Sequence, residues 1–232
     1  DPGAAFTAVL QLGTLAAVLG FFLRELVGLT RAAVTPAGWR THEGQLAFGL
    51  VLGTVPIGLA GVLLKHHIEG PFRSLWVIAS TLVLVALLMA ATERWSKPNR
   101  PYEAVTLRDA VIVGLAQTLA LVAGVSRSGI TLVAALALGL RRDAAARFSF
   151  LLSVPAVAAA GVFELPDVLR ARDLAAGPLV VGLLVAAASG YASIAWLLRF
   201  LRTRTTLPFV VYRVLLGLAL LGLLMRGRLP GS

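Results

Sequence analysis

The sequence predicts an all-α integral membrane protein with six transmembrane helices and one re-entrant helical hairpin. It reads as an inverted-topology repeat whose first re-entrant hairpin is missing. Three observations predict this. Hydrophobic residues make up 58% of 232 positions and charged ones 14%, a balance with too little polar surface to keep a domain of this size in water. Six windows, each roughly a bilayer's length of helix, carry almost no charge. Finally, the cluster Gly124-Val125-Ser126-Arg127-Ser128-Gly129 lies inside an apolar stretch from Ala110 to Leu140, where a lipid-facing helix would not carry it.

The first three windows are 4–23, 46–64 and 75–92. Pro56 and Gly58 within them are tolerable in membrane helices and let neighbours approach closely. The polar linkers 24–45 and 93–109 read as ordinary membrane loops. In the stretch 110–140, segments 110–125 and 130–140 give about 16 and about 11 helical residues, too few to cross a core of roughly 30 Å but enough to dip in and return. The later windows are 148–163, short for a span and containing Pro155, then 178–198 and 207–225.

The windows repeat in order. Offset by 142, Phe6 falls on Phe148, Leu10 on Leu152, Ala16-Ala17 on Ala158-Ala159 and Phe21 on Phe163. Offset by 133, Gly44 falls on Gly177, Gly49-Leu50 on Gly182-Leu183 and Leu64 on Leu197. The whole of 1–232 is therefore one polytopic membrane domain, with an incomplete three-helix repeat at 4–92, the hairpin at 110–140 and a second three-helix repeat at 148–225. An odd number of spans per unit inverts the second copy. The hairpin's counterpart would precede Asp1, so roughly 35–40 upstream residues are expected to be absent from this sequence. With 110–140 as a hairpin, the loops on one side hold 13 Lys/Arg against 6 on the other. This bias places the C-terminus outside the cytoplasm.

The net charge of +10 would suggest nucleic acid in a soluble protein, but the arginines lie mostly between spans and no nucleic-acid motif accompanies them. The absence of cysteine excludes disulfides and thiolate chemistry. His42, His66 and His67 give no metal-ligand spacing, so no metal site is read from the residues; His66-His67 beside Lys65 reads as an interfacial loop.

The 124–129 turn is built to hold an anion. Gly124 and Gly129 allow positive φ and close backbone approach, and a helix resuming at Ile130 offers unpaired N–H groups and a partial positive charge. Ser126, Ser128 and Thr131 add hydroxyl donors, and Arg127 a planar fork suited to phosphate. The structural alternative is that Ser and Thr bond back to helix carbonyls and Arg127 pairs with a carboxylate. No activating base is evident. Glu25, Glu69, Asp143 and Glu164 lie near predicted helix ends, where solvated or macrodipole roles are the default. Glu25 could pair with Arg24, and Gln117 could hydrogen-bond across helices. Alone, these hydroxyls make a binder and an incomplete catalyst.

The stretch Gly114 to Thr131, which ends in Gly124-Val-Ser-Arg-Ser-Gly-Ile-Thr131, resembles the Pro-Gly-x-Ser-Arg-Ser-Gly-x-Thr signature of the undecaprenyl-diphosphatase family linked to bacitracin resistance. Residues Ala144 to Pro155, Gln11-Leu-Gly-Thr14 and Leu207 to Arg213 also resemble the family pattern, while Ala123 stands where that family usually has proline. The resemblance implies hydrolysis of undecaprenyl diphosphate to undecaprenyl phosphate and phosphate. This recycles the lipid carrier for peptidoglycan synthesis in the bacterial plasma membrane. It assigns Arg127, Ser126 and Ser128 to clamping the diphosphate, with Gly124, Gly129 and Thr131 assisting. It also suggests a Mg²⁺ or Ca²⁺ bridging diphosphate oxygens, membrane lipids as neighbours, no nucleic-acid partner, and room for a homo-oligomer. The family's acidic pair, serine run and histidine do not occur here, so the nucleophile and general acid or base have no candidate and the fragment's own activity is in question. The competing readings are a polyprenyl-phosphate transporter or flippase, which the inverted repeat also suits, and a scaffold.

Overall fold

Uninterrupted apolar runs of about 20 residues satisfy every backbone hydrogen bond internally only as helices, and helices dominate the described residues of the computed structural model. It describes residues 3–69, 71–170 and 176–229, with the side chains of 3–10, 69, 160–170, 176 and 178 excepted. Asp1 and the carboxylates of Glu69 and Glu164 thus lie outside the described residues, as do most of the pairs supporting the 142 offset.

The α-helices run in the order α1 (Gly3–Phe21), α2 (Leu23–Val34), α3 (His42–Leu63), α4 (Lys65–Glu69), α5 (Leu75–Trp95), α6 (Leu107–Gln117), α7 (Arg127–Ala137), α8 (Arg142–Arg170), α9 (Ala176–Thr203) and α10 (Leu207–Met225). Among the described residues, four helices are long and apolar enough to cross a membrane: α3, α5, α9 from Leu179, and α10. A fifth span is available if α1 and α2, bent by 79° at Phe22, are counted together. The protein is a multi-pass membrane protein.

Two expectations need correction. Linker 24–45 is no simple loop: it holds the twelve-residue α2 and a 3-10 turn at Gly38–Arg40. In α2, Leu29 and Ala32 are buried while Arg24, Thr30 and Arg31 are exposed, the amphipathic pattern of a helix lying along a membrane surface. The window 148–163 is part of a 29-residue helix, α8. The helix runs on through Arg147, which donates to Glu25 at 2.7 and 3.0 Å, and a paired charge does not end a helix. Glu25 therefore pairs across the molecule and not with Arg24.

α1 packs against α8 and α9, α5 against α10, and α3 against α6 and α8. At the α3–α6 crossing the backbones nearly touch: a Cβ on Gly53 would come within 2.7 Å of the Ala110 carbonyl, and one on Gly114 would overlap the Gly53 backbone. Only glycine permits this approach. Val113, Leu136, Phe148, Leu151 and Leu152 form the fully buried centre.

α6 and α7, eleven residues each, fold back on one another and are pinned at their base. Thr106 caps α6 through a reciprocal box with Asp109. α7 ends in a Schellman turn, with Gly139 at φ +82° and its N–H and that of Leu140 donating to Leu136 and Ala135. Arg100 joins the two ends: it donates bidentately to Asp109 at 2.6 and 3.1 Å and also to the carbonyls of Leu138 and Ala104 at 2.8 and 2.7 Å. Burial alone would raise the Asp109 carboxyl, but the bonds from Arg100 and Thr106 outweigh it and hold the group below the usual carboxylate range. Arg100 is raised by the same pairing.

Candidate functional site

The apex opposite this pin is the 124–129 turn. Gly124 adopts φ +86°, pressed against α5 where any Cβ would lie 2.6 Å from the Ile78 carbonyl. Two neighbours grip the turn. Thr81 on α5 donates its hydroxyl to the Ala123 carbonyl at 2.8 Å, and Arg213 on α10 donates Nη2 to the carbonyls of Gly124 at 2.7 Å and Val125 at 3.3 Å.

The helix resumes three residues earlier than expected. α7 begins at Arg127, with Ser126 as its cap accepting from the Gly129 N–H at 3.3 Å. The second positive φ of the turn accordingly falls on Ser126, at +63°, and not on Gly129. Gly129 sits in the first helical turn, where a Cβ would press on Ser126 at 3.3 Å. Among the described residues the N–H groups of Arg127 and Ser128 make no hydrogen bond, so they remain free at a helix N-terminus, where anions bind.

Arg127 is half-buried, and its guanidinium makes no hydrogen bond or ion pair among the described residues. Ser126 and Ser128 flank it and are exposed to two cavities. One, of about 420 Å³, is lined by Arg127, Thr14, Ser149, Phe150 and Ser153 as well as the turn. The other, of about 260 Å³, is lined by Arg213 together with Met89, Leu132, Leu201 and Phe209. A third, of about 370 Å³, runs from Arg127 along α3 and α8 between Ile57, Leu121 and Ala156 toward Lys65. The structure thus brings Gly124, Ser126, Arg127, Ser128 and Gly129 together.

Thr131 is placed differently. It is buried, and its hydroxyl donates back to the Arg127 carbonyl at 2.9 Å, so it steadies the first turn of α7 without lining a cavity. Gln117 is fully buried at the end of α6, and neither amide atom has a hydrogen-bond partner; the expected bond across helices is not made. Asp143 pairs with Arg141 at 2.9 Å. Arg213, Thr81 and Ser149 were missed, because a residue distant in sequence gives no local sign of reaching the turn.

Among the described residues no carboxylate lines the three cavities, and no three His, Asp or Glu side chains could hold a metal ion together. The donors present are hydroxyls, amides and guanidinium groups, which suit an anion and not a divalent cation.

A sequence profile of the family described as bacitracin resistance protein BacA matches residues 1–219. The undecaprenyl-diphosphatase of Myxococcus xanthus is 51% identical over 99% of this chain and 79% of its own length. That of a Nocardioides species is 46% identical over 98% of this chain and 85% of its own, and that of Trichormus variabilis is 45% identical over the whole of this chain and 75% of its own.

Proposed function

The chain belongs to the bacitracin resistance protein BacA family, and from that premise we propose that it hydrolyses undecaprenyl diphosphate to undecaprenyl phosphate and phosphate, in a bacterial plasma membrane. Water adds to the terminal phosphorus and the bridging P–O bond breaks, leaving the monophosphate on the lipid. The observation that carries this reading is a guanidinium unpaired among the described residues, in the first turn of a helix, flanked by two hydroxyls and two free N–H groups, with mostly apolar cavities against it and its serines.

Phosphoryl transfer rests on positioning and on neutralising charge spread over the phosphoryl oxygens. Arg127 supplies the fork, the N–H groups of Arg127 and Ser128 the helix-end dipole, and Ser126 and Ser128 further donors. Gly124 lets the turn form, Gly129 completes the cap, and Thr131 stiffens the helix start. Among the described residues no base stands beside either serine, and their hydroxyls serve as donors to the diphosphate.

The contacts support the inverted repeat at 4–92 and 148–225. If α1, α3 and α5 correspond to α8, α9 and α10, the α1–α9 contact exchanges with α8–α3, while α1–α8 and α5–α10 exchange with themselves; all four are present. In this arrangement six helices span, α6 and α7 re-enter, and the C-terminus lies outside the cytoplasm.

Phosphate release from undecaprenyl diphosphate by the purified full chain tests the reading. Arg127→Ala is expected to lower turnover about 10²–10³-fold, the cost of losing a preorganised oxyanion donor. Intact turnover in that variant removes the clamp, and lipid crossing the bilayer without phosphate release by the unaltered protein would favour a transporter.

A further inference from the structure

A chamber of about 1040 Å³ lies away from the 124–129 turn, between α1, α2 and α3 on one side and the 102–104 turn, α8 and α9 on the other. Its floor is a partly satisfied polar cluster. Arg147 directs both Nε and Nη2 at a single oxygen of Glu25, Oε2, and lays its guanidinium 4.4 Å over the Tyr102 ring. This leaves Glu25 Oε1 and the Tyr102 hydroxyl buried, the phenol facing the Glu25 carboxylate. Burial, and then the nearby Glu25 carboxylate, push the Tyr102 phenol well above its ordinary range, so it remains a neutral donor.

The rim carries unspent charge of both signs. Arg24, Arg199 and Arg202 make no hydrogen bond or ion pair among the described residues, and neither do Glu43 and Glu103. Leu23, Leu29 and Leu46 supply an apolar flank, and α2 leaves α1 at 79°, the attitude of a helix at headgroup depth. The chamber is therefore charged, apolar on one side and level with lipid headgroups.

We propose that this chamber binds the headgroup of an aminophospholipid. The phosphate diester lies against Arg199 and Arg202, the primary ammonium donates to the rim carboxylates Glu43 and Glu103, and the chains leave over Leu23. A purely anionic headgroup would satisfy the arginines but face three carboxylates. A choline headgroup has no N–H to give them. Only a headgroup with both a phosphate and N–H donors answers both sets of unspent groups.

Native mass spectrometry of the detergent-solubilised full chain, titrated with phosphatidylethanolamine, phosphatidylcholine or phosphatidylglycerol of identical acyl chains, tests this. Phosphatidylethanolamine is expected to be retained about tenfold more tightly than either of the others, the worth of one charge-assisted hydrogen bond. The double variant Arg199→Gln, Arg202→Gln should lose about that factor for phosphatidylethanolamine, and Glu43→Gln with Glu103→Gln should erase the discrimination against phosphatidylglycerol. These side chains hold no bonds in the fold, and unchanged melting temperatures would confirm that the variants fold. Equal retention of all three lipids, preference for phosphatidylglycerol, displacement by inorganic phosphate alone, or an arginine variant that binds as before would each overturn the proposal.

Discussion

Ser126 holds the single positive φ on a non-glycine residue among those described, a conformation costing about 1–3 kcal/mol. Its cap to Gly129 returns about 1 kcal/mol, and the grips of Thr81 and Arg213 hold the rest of the turn in place. Ser126→Gly separates backbone from hydroxyl. The melting temperature should stay level or rise, because glycine adopts this φ freely, while phosphate release falls. Unaltered turnover would mean that the hydroxyl touches no substrate. Arg213→Ala should release the Gly124 and Val125 carbonyls and lower kcat about tenfold or more through misplacement of the turn, with Arg213→Lys recovering part of it through one remaining donor. A loss confined to stability would reduce Arg213 to a packing residue. At this scale the sequence disclosed which residues gather at the turn but not how they divide the work. Glycine serves positive φ at 124 and close approach at 129, and the two uses look alike until the helix start is known.

At the scale of elements, the pin at the base of α6 and α7 lends itself to a pH test. The Asp109 carboxyl titrates lower in the folded protein than its ordinary value of about 3.9. Its contribution is therefore complete above that value and is lost as pH falls through the depressed one. Thermal melts should show wild-type stability dropping below about pH 4, with a shallower fall in Asp109→Asn. That variant should also be less stable by about 3 kcal/mol at neutral pH, the lower end for removing one partner of a buried pair, since Arg100 is 32% exposed. Equal slopes would mean that another carboxylate governs the acid transition. The apolar windows located the cores of α3, α5, α9 and α10 well, because lipid demands long unbroken helices there. They missed α2, whose two-sided pattern looks like a loop when only apolar length is counted, and they cut α8 short at a charge that has a distant partner.

For the whole molecule, the lack of cysteine allows a direct check of orientation. A cysteine at exposed Arg228 should react with a membrane-impermeant maleimide in intact cells, and one at exposed Arg204 only after permeabilisation. The reverse pattern would invert the molecule. Spaced identities such as Gly49-Leu50 with Gly182-Leu183 suggest a repeat, but not the way the helices interlock. Which helix meets which is a property of three-dimensional packing, and interchangeable apolar residues do not encode it in their order.

That interlock bears on how the protein works. Thr81 and Arg213 reach the same turn from α5 and α10, which pack against each other. A carrier that rocked its halves past each other would have to unlatch this loop on every cycle and scatter the groups that seize its cargo. Hydrolysis asks for no such stroke: the lipid can slide in, lose a phosphate and slide out while the latch stays shut.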